Sequence, residues 1–219
     1  MKKSHILILF IAAVFAATSG IWMAKQTSDD SSVSIKPEVI QGAIYPNAKN
    51  IKDFNLINHR SENITKENFK NHWSLIFVGY THCPDICPTT MAVMTQVSEF
   101  MQKQQIKPPE IVFLSIDPER DTADILNSYV TYFNKDFIGL TGDVEEITQL
   151  SAQLNAVFRK APGLSGQITD EDYLMDHSSA LMLINPHGNL QSILTAPHTP
   201  ANMIDSILKS QAYFQQISN

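Results

Sequence analysis

Three stretches of this chain are apolar almost without interruption: Leu75-Ile76-Phe77-Val78-Gly79-Tyr80, Ile111-Val112-Phe113-Leu114-Ser115-Ile116 and Ala180-Leu181-Met182-Leu183-Ile184. Runs of this length and composition fit strands buried on both faces, as in the interior of a parallel or mixed sheet. The pattern between them changes to a helical period. Met91, Met94, Val97, Phe100 and Met101 recur at three- and four-residue steps, predicting a helix over residues 88–104 with Pro88 at its first position. A second helix is expected over 122–133, capped by Thr122 or Asp121, with Ile125, Tyr129, Val130 and Phe133 on its apolar face. A short strand over 137–140 and a helix over 143–154 come next, the latter patterned by Val144, Ile147, Leu150, Ser151 and Leu154.

The third apolar run leads through Asn185-Pro186-His187-Gly188-Asn189 into a returning strand over 190–194, which reads as a hairpin. A last helix over 200–216 carries Met203, Ile204, Ile207, Leu208 and Tyr213. Upstream, residues 53–57 form an early strand and Thr65 caps a helical turn ending near His72. Residues 162–172, with two glycines and three acids, read as a surface loop. Strand–helix alternation closed by a hairpin makes this an α/β domain with a mixed central sheet.

The first 25 residues obey a different rule. Lys2 and Lys3 precede residues 6–24, a stretch of 19 residues without a charge, just long enough to cross a bilayer. Read only as far as Ala17, the same stretch is an export signal. No clean small-x-small cleavage site precedes Trp22, which favours an uncleaved anchor. Both readings put the rest of the chain outside the cytoplasm. Residues 26–37 are polar, with nothing to bury, and read as a tether. The expected organisation is therefore an anchor over 1–25, a linker over 26–37 and one domain over 38–219. A net charge of −6 gives no basic footprint, which argues against nucleic acid as a partner.

The chain's only two cysteines, Cys83 and Cys87, lie between the first apolar run and the first helix, in Cys83-Pro84-Asp85-Ile86-Cys87-Pro88. A helix N-terminus favours negative charge and so stabilises a thiolate. Three uses of the pair compete. A structural staple gains little, because closing so short a loop is worth about 2 kcal/mol against nearly 5 for a loop of about 100 residues. A redox pair remains open, although thioredoxin-like enzymes place two residues between their cysteines and this chain has three. A metal site is the third use: two thiolates one helical turn apart suit a soft ion such as Cu(I), or zinc.

A metal requires a further ligand, and the chain has seven histidines. His5 lies in or beside the apolar leader. His59, His72, His187 and His198 fall in expected surface loops, where they would be solvated. His82 adjoins Cys83, but a neighbour on an extended strand points to the opposite face. His177, in Asp176-His177-Ser178-Ser179 directly before the third apolar run, is the better candidate.

With these residues in hand the chain resembles the Sco/SenC family of copper chaperones. The resemblance rests on Gly79-Tyr80-Thr81-His82-Cys83-Pro84-Asp85-Ile86-Cys87-Pro88-Thr89-Thr90 and on Ser115-Ile116-Asp117-Pro118-Glu119-Arg120-Asp121-Thr122. It extends to Gly139-Leu140-Thr141-Gly142 and to Tyr173 followed by Asp176-His177-Ser178, in that order. It implies a thioredoxin-like fold with insertions, behind a membrane anchor, facing an oxidising compartment such as the bacterial periplasm. It also implies Cu(I) or Cu(II) bound by Cys83, Cys87 and His177. The implied role is assembly of the dinuclear copper centre of cytochrome c oxidase subunit two, or of another copper-receiving protein. A metallochaperone has no turnover. The alternative is an exported thiol–disulfide oxidoreductase acting through Cys83 and Cys87 on a client's cysteines, and a peroxidase is a more distant third.

Four further expectations attach to single residues. Asp176 either orients the His177 ring or caps a turn. Residues 117–121 form a turn and helix cap, with a role beside the site implied by the resemblance. Met91 and Met94 pack the core rather than offering thioether ligands. Asp85 is exposed and available to a partner.

Overall fold

The computed structural model describes residues 18–19, 36–169 and 172–218. The expected anchor, apart from Thr18 and Ser19, and nearly all of the linker lie outside them. Among the described residues no helix is long and apolar enough to cross a membrane. The chain divides into Met1–Lys36 and the compact unit Pro37–Asn219, the second of which carries the central sheet and the helices packed on it.

Its elements are β1 (Gly42–Lys49), β2 (Leu56–Asn58), β3 (Asn63–Ile64), a 3-10 turn (Lys66–Phe69), β4 (Ser74–Gly79), α1 (Ile86–Lys103), β5 (Glu110–Ser115) and α2 (Ala123–Phe133). Then come β6 (Ile138–Thr141), α3 (Val144–Gln153), β7 (Phe158–Pro162), β8 (Tyr173–His177), β9 (Leu181–Ile184), β10 (Leu190–Leu194) and α4 (Pro200–Ser218). Eight strands form one mixed sheet in the order β1-β10-β9-β4-β5-β6-β2-β3, and β7 and β8 pair separately as a two-stranded ribbon.

The three apolar runs form the three central strands. β4 is buried throughout, pairing in parallel with β5 (Phe77 opposite Phe113) and antiparallel with β9 (Phe77 opposite Leu181). Parallel β4–α1–β5 followed by the antiparallel β9–β10 hairpin and α4 is the thioredoxin-like arrangement. Met91, Met94, Val97 and Met101 of α1 are fully buried, as core packing requires. Thr122 caps α2, its hydroxyl accepting from the Ile125 N–H, and Asp143 caps α3 through the Glu145 N–H.

The structure departs from the sequence expectations in several places. β1 and the β7–β8 ribbon were not anticipated. β1 is an edge strand with a register irregularity between Ile44 and Lys49, around Pro46, and buries only one side chain fully. The loop expected over 162–172 agrees with the structure except at Pro162, which ends β7; its described residues connect β7 to β8, which begins at Tyr173. α1 starts at Ile86, two residues before Pro88, which brings Cys87 into its first turn. Phe100 and Ile125 are exposed, and Leu126 replaces Ile125 on the buried face of α2.

His59 is also a correction. It is buried rather than solvated, and its Nδ1 accepts the Gly139 N–H at 3.1 Å while its backbone N–H donates to the Gly139 carbonyl. Burial, then the neighbouring Arg60 charge, lowers its pKa, against smaller upward pulls from the Gly139 backbone and Glu62. The fold thus holds a neutral ring, and the unfolded chain binds the extra proton. His59 therefore contributes stability fully above its unfolded pKa, about 6.5, and less as pH falls below it. His59→Asn, which keeps an acceptor at all pH values, should be compared with wild type by denaturant unfolding. The wild type should lose stability relative to the variant from about pH 7 down to about pH 5. A difference independent of pH would show that the ring does not act as a neutral acceptor.

Candidate metal centre

The C-terminal end of β4 and the first turn of α1 build the site. Gly79 ends β4 directly under Cys87: a Cβ at this position would lie 2.9 Å from Cys87 Sγ and 2.8 Å from Phe113 Cε2. Only glycine admits the sulfur here without displacing it. Residues 80–85 then turn the chain into the helix. The Cys87 N–H, one of the donors a helix start leaves unpaired, donates to Cys83 Sγ at 3.4 Å.

The turn is fixed from below by Asp121, which is fully buried. Its carboxylate accepts from the Thr81 N–H at 2.9 Å, the Thr81 hydroxyl at 2.6 Å and the Ser115 hydroxyl at 2.6 Å. The backbone start of the cysteine turn and the end of β5 therefore share one anchor. Residues 117–121 do lie beside the site, as the resemblance implied, and they are more than a turn.

His177 is the last residue of β8, and its Nε2 stands 3.5 Å from Cys87 Sγ. Its Nδ1 is 3.0 Å from the Ser178 carbonyl, which can only accept. The proton is thus assigned to Nδ1, and Nε2 turns its lone pair toward the sulfurs. Phe77 and Tyr80 pack edge-on against the ring at 6.1 and 6.0 Å between centroids. Asp176 does not orient it: that carboxylate points outward and pairs with Arg159 at 3.0 Å, because successive side chains on a strand face opposite ways.

Cys83, Cys87 and His177 come together although His177 lies 90 residues beyond Cys87, with their three ligand atoms within 4.8 Å of one another. The donors are of a type and spacing that could hold a metal ion. The cysteines are unbridged and differ sharply in environment. Cys87 has no exposed surface and Cys83 retains a little. The Cys87 thiol hydrogen bond lowers the Cys83 pKa to about 4, outweighing burial, with help from the N–H groups of Asp85 and Cys87. The same bond, and then burial, pushes Cys87 upward. The metal-free pair is one thiolate and one thiol.

The remaining histidines are elsewhere. His82 is exposed, with Nδ1 3.7 Å from Asp121 Oδ1. His72 is half-buried beside Glu110, not free in solvent, and His198 Nε2 accompanies the Ser179 carbonyl at 2.7 Å. His187 is exposed and packs on Phe214. Asp85 is exposed, as expected. Spacing and periodicity gave no sign of the pairing of Tyr173 with Arg120. The Arg120 guanidinium lies 3.6 Å over the Tyr173 ring, and both engage the buried Asp117. Their only signal in the sequence is their presence in the motifs that carry the family resemblance.

The asymmetry has a direct readout. In the reduced, metal-free protein, alkylation at about pH 6 should label Cys83 far faster than Cys87. Cys87→Ala should raise the midpoint at which the Cys83 thiolate absorbance appears. Equal labelling of the two cysteines would contradict the assignment.

The SCO1/SenC family model matches residues 43–212. A bovine relative, mitochondrial protein SCO2 homolog, is 30% identical over 211 residues, covering 96% of this chain and 77% of that protein. Solved structures of the same fold include two that hold copper. Copper-bound Arabidopsis thaliana ScoI is 30% identical with a TM-score of 0.66, covering 74% of this chain and 97% of that one. Copper-bound Bradyrhizobium japonicum ScoI is 31% identical with a TM-score of 0.62, covering 74% and 98%.

Proposed function

The chain belongs to the SCO1/SenC family, and we propose that it is a copper chaperone that takes its cargo on Cys83, Cys87 and His177. The observation that carries this reading is the convergence of two sulfurs and one imidazole nitrogen within 4.8 Å. Two thiolates suit Cu(I), which accepts low coordination numbers, and the imidazole extends the site's tolerance to Cu(II). Copper-bound relatives of the same fold at 30% and 31% identity support it. Loading releases the proton on Cys87, so affinity falls as pH drops. The recipient is an exported copper protein, with subunit two of cytochrome c oxidase as the specific candidate. The domain over 38–219 works outside the cytoplasm on a tether whose anchor is the apolar leader.

A second reading is favoured by the thiolate–thiol asymmetry. The Cys83 thiolate attacks a partner disulfide, forming a mixed disulfide and releasing one partner thiolate. Cys87, deprotonated, then displaces the second partner thiolate. The partner leaves reduced and the pair ends as a disulfide, which cannot bind copper.

Anaerobic titration of the reduced full chain with Cu(I) and with Cu(II) separates the two. Wild type should bind one copper. Cys83→Ala/Cys87→Ala should bind none at the site, and His177→Ala should bind Cu(II) at least about tenfold more weakly, since even losing an outer-shell partner of a metal ligand costs about 10- to 100-fold. Cu(II) binding indifferent to His177, with reductase activity retained, would replace the first reading by the second.

A further inference from the structure

Among the described strands, β7 and β8 pair only with each other. No ladder to the central sheet therefore fixes the end of β8 that carries His177. Main-chain continuity through residues 178–180 limits where that end can go, but does not hold the imidazole 3.5 Å from Cys87. Something else must keep the ribbon down over the cysteines.

The contacts that do so lie mainly on one face of β8, and the His198 ring, 2.7 Å from the Ser179 carbonyl, holds the segment that follows it. Tyr173, Met175 and His177 alternate along the strand on its inward side, with Tyr173 and Met175 buried. The Tyr173 hydroxyl donates to Asp117 Oδ1 at 2.6 Å, and Arg120 Nε donates to Asp117 Oδ2 at 2.6 Å. Arg120 also donates through Nη1 to the Tyr173 carbonyl at 3.1 Å while its guanidinium covers the Tyr173 ring. Lys160 of β7 adds a pair with Glu119 at 2.7 Å on the exposed side. Loop 117–120 thus grips the ribbon by side chain, main chain and ring face at a single residue.

We propose that Asp117, Arg120 and Tyr173 form a latch that holds His177 in reach of the sulfurs. Arg120 and Tyr173 are positioning residues for the third copper ligand. The proposal rests on the copper reading above for its consequence, though not for its geometry. Burying an ion pair is a poor way to gain stability, since apolar side chains of similar volume do as well or better. It does impose direction, because a planar guanidinium and a carboxylate bond in few orientations. The loop that ends in the latch also contains Asp121, which anchors the cysteine turn. Thiolate and imidazole ligands are therefore registered against the same short segment, residues 116–121.

The test uses the reduced full chain as wild type, Tyr173→Phe, Arg120→Gln, the double variant and His177→Ala. Tyr173→Phe keeps the ring and the fold while removing the bond to Asp117. In the metal-free protein, NMR cross-peaks between the His177 ring and the rings of Tyr80 and Phe77 should weaken in both latch variants. Cu(II) affinity should fall about tenfold, as expected from losing one hydrogen bond to a charged group, with weaker nitrogen hyperfine coupling. Cu(I) affinity, carried by the thiolates, should change less than about threefold on the same scale. The double variant should lose no more than the stronger single one, because both act through one device. Wild-type cross-peaks and wild-type Cu(II) affinity in the latch variants, with His177→Ala impaired, would overturn the latch. Should His177→Ala itself bind Cu(II) like wild type, the copper reading fails, and the cross-peaks of the metal-free protein still decide the latch.

Discussion

The carboxylate of Asp121 is the constraint on which the rest of the site depends. Taking a carboxylate out of water costs several kcal/mol unless its oxygens are satisfied, and here three donors satisfy them. Those donors come from the first residue after Tyr80 and from the last residue of β5. The group can be buried only if the cysteine turn and the neighbouring strand end are already in their native relation. The cost of burial therefore selects one turn geometry, and that geometry points the Cys87 amide at the Cys83 sulfur.

Local chemistry depends on that placement. Gly79 leaves room for Cys87 Sγ against Phe113, so one cysteine sinks into the core while the other stays at the rim. Two identical side chains four residues apart become a thiolate and a thiol because their burial and hydrogen bonding differ. The imidazole arrives on a separate piece of structure. Its tautomer is set by a carbonyl of its own chain, so the ribbon delivers a ready ligand rather than one the site must reorient.

Much of this was legible in the sequence because the central strands are buried on both faces and the helices on one. Such burial leaves unbroken apolar runs and three-to-four periodicity. The residues that escaped detection share a different property. β1 and the ribbon bury few side chains, so Gly42–Lys49 and Phe158–Pro162 carry no periodic signal. His59 looked solvated because a polar residue in a loop usually is; a main-chain donor from Gly139, 80 residues away, is invisible to spacing. Arg120 and Tyr173 were in plain view, but their stacking depends on how the ribbon folds back. The start of α1 lies two residues earlier than expected because proline is acceptable anywhere in the first turn, where no N–H is needed.

The unequal depth of the two sulfurs has a consequence for traffic. Cys87 presents no surface to solvent, while Cys83 and the partly buried His177 border the rim. An ion held by the three would be open to solvent on the side of Cys83 and the imidazole. An acceptor of that ion would meet Cys83 and the imidazole before the buried sulfur. The unequal depth would give such an exchange one favoured side of approach.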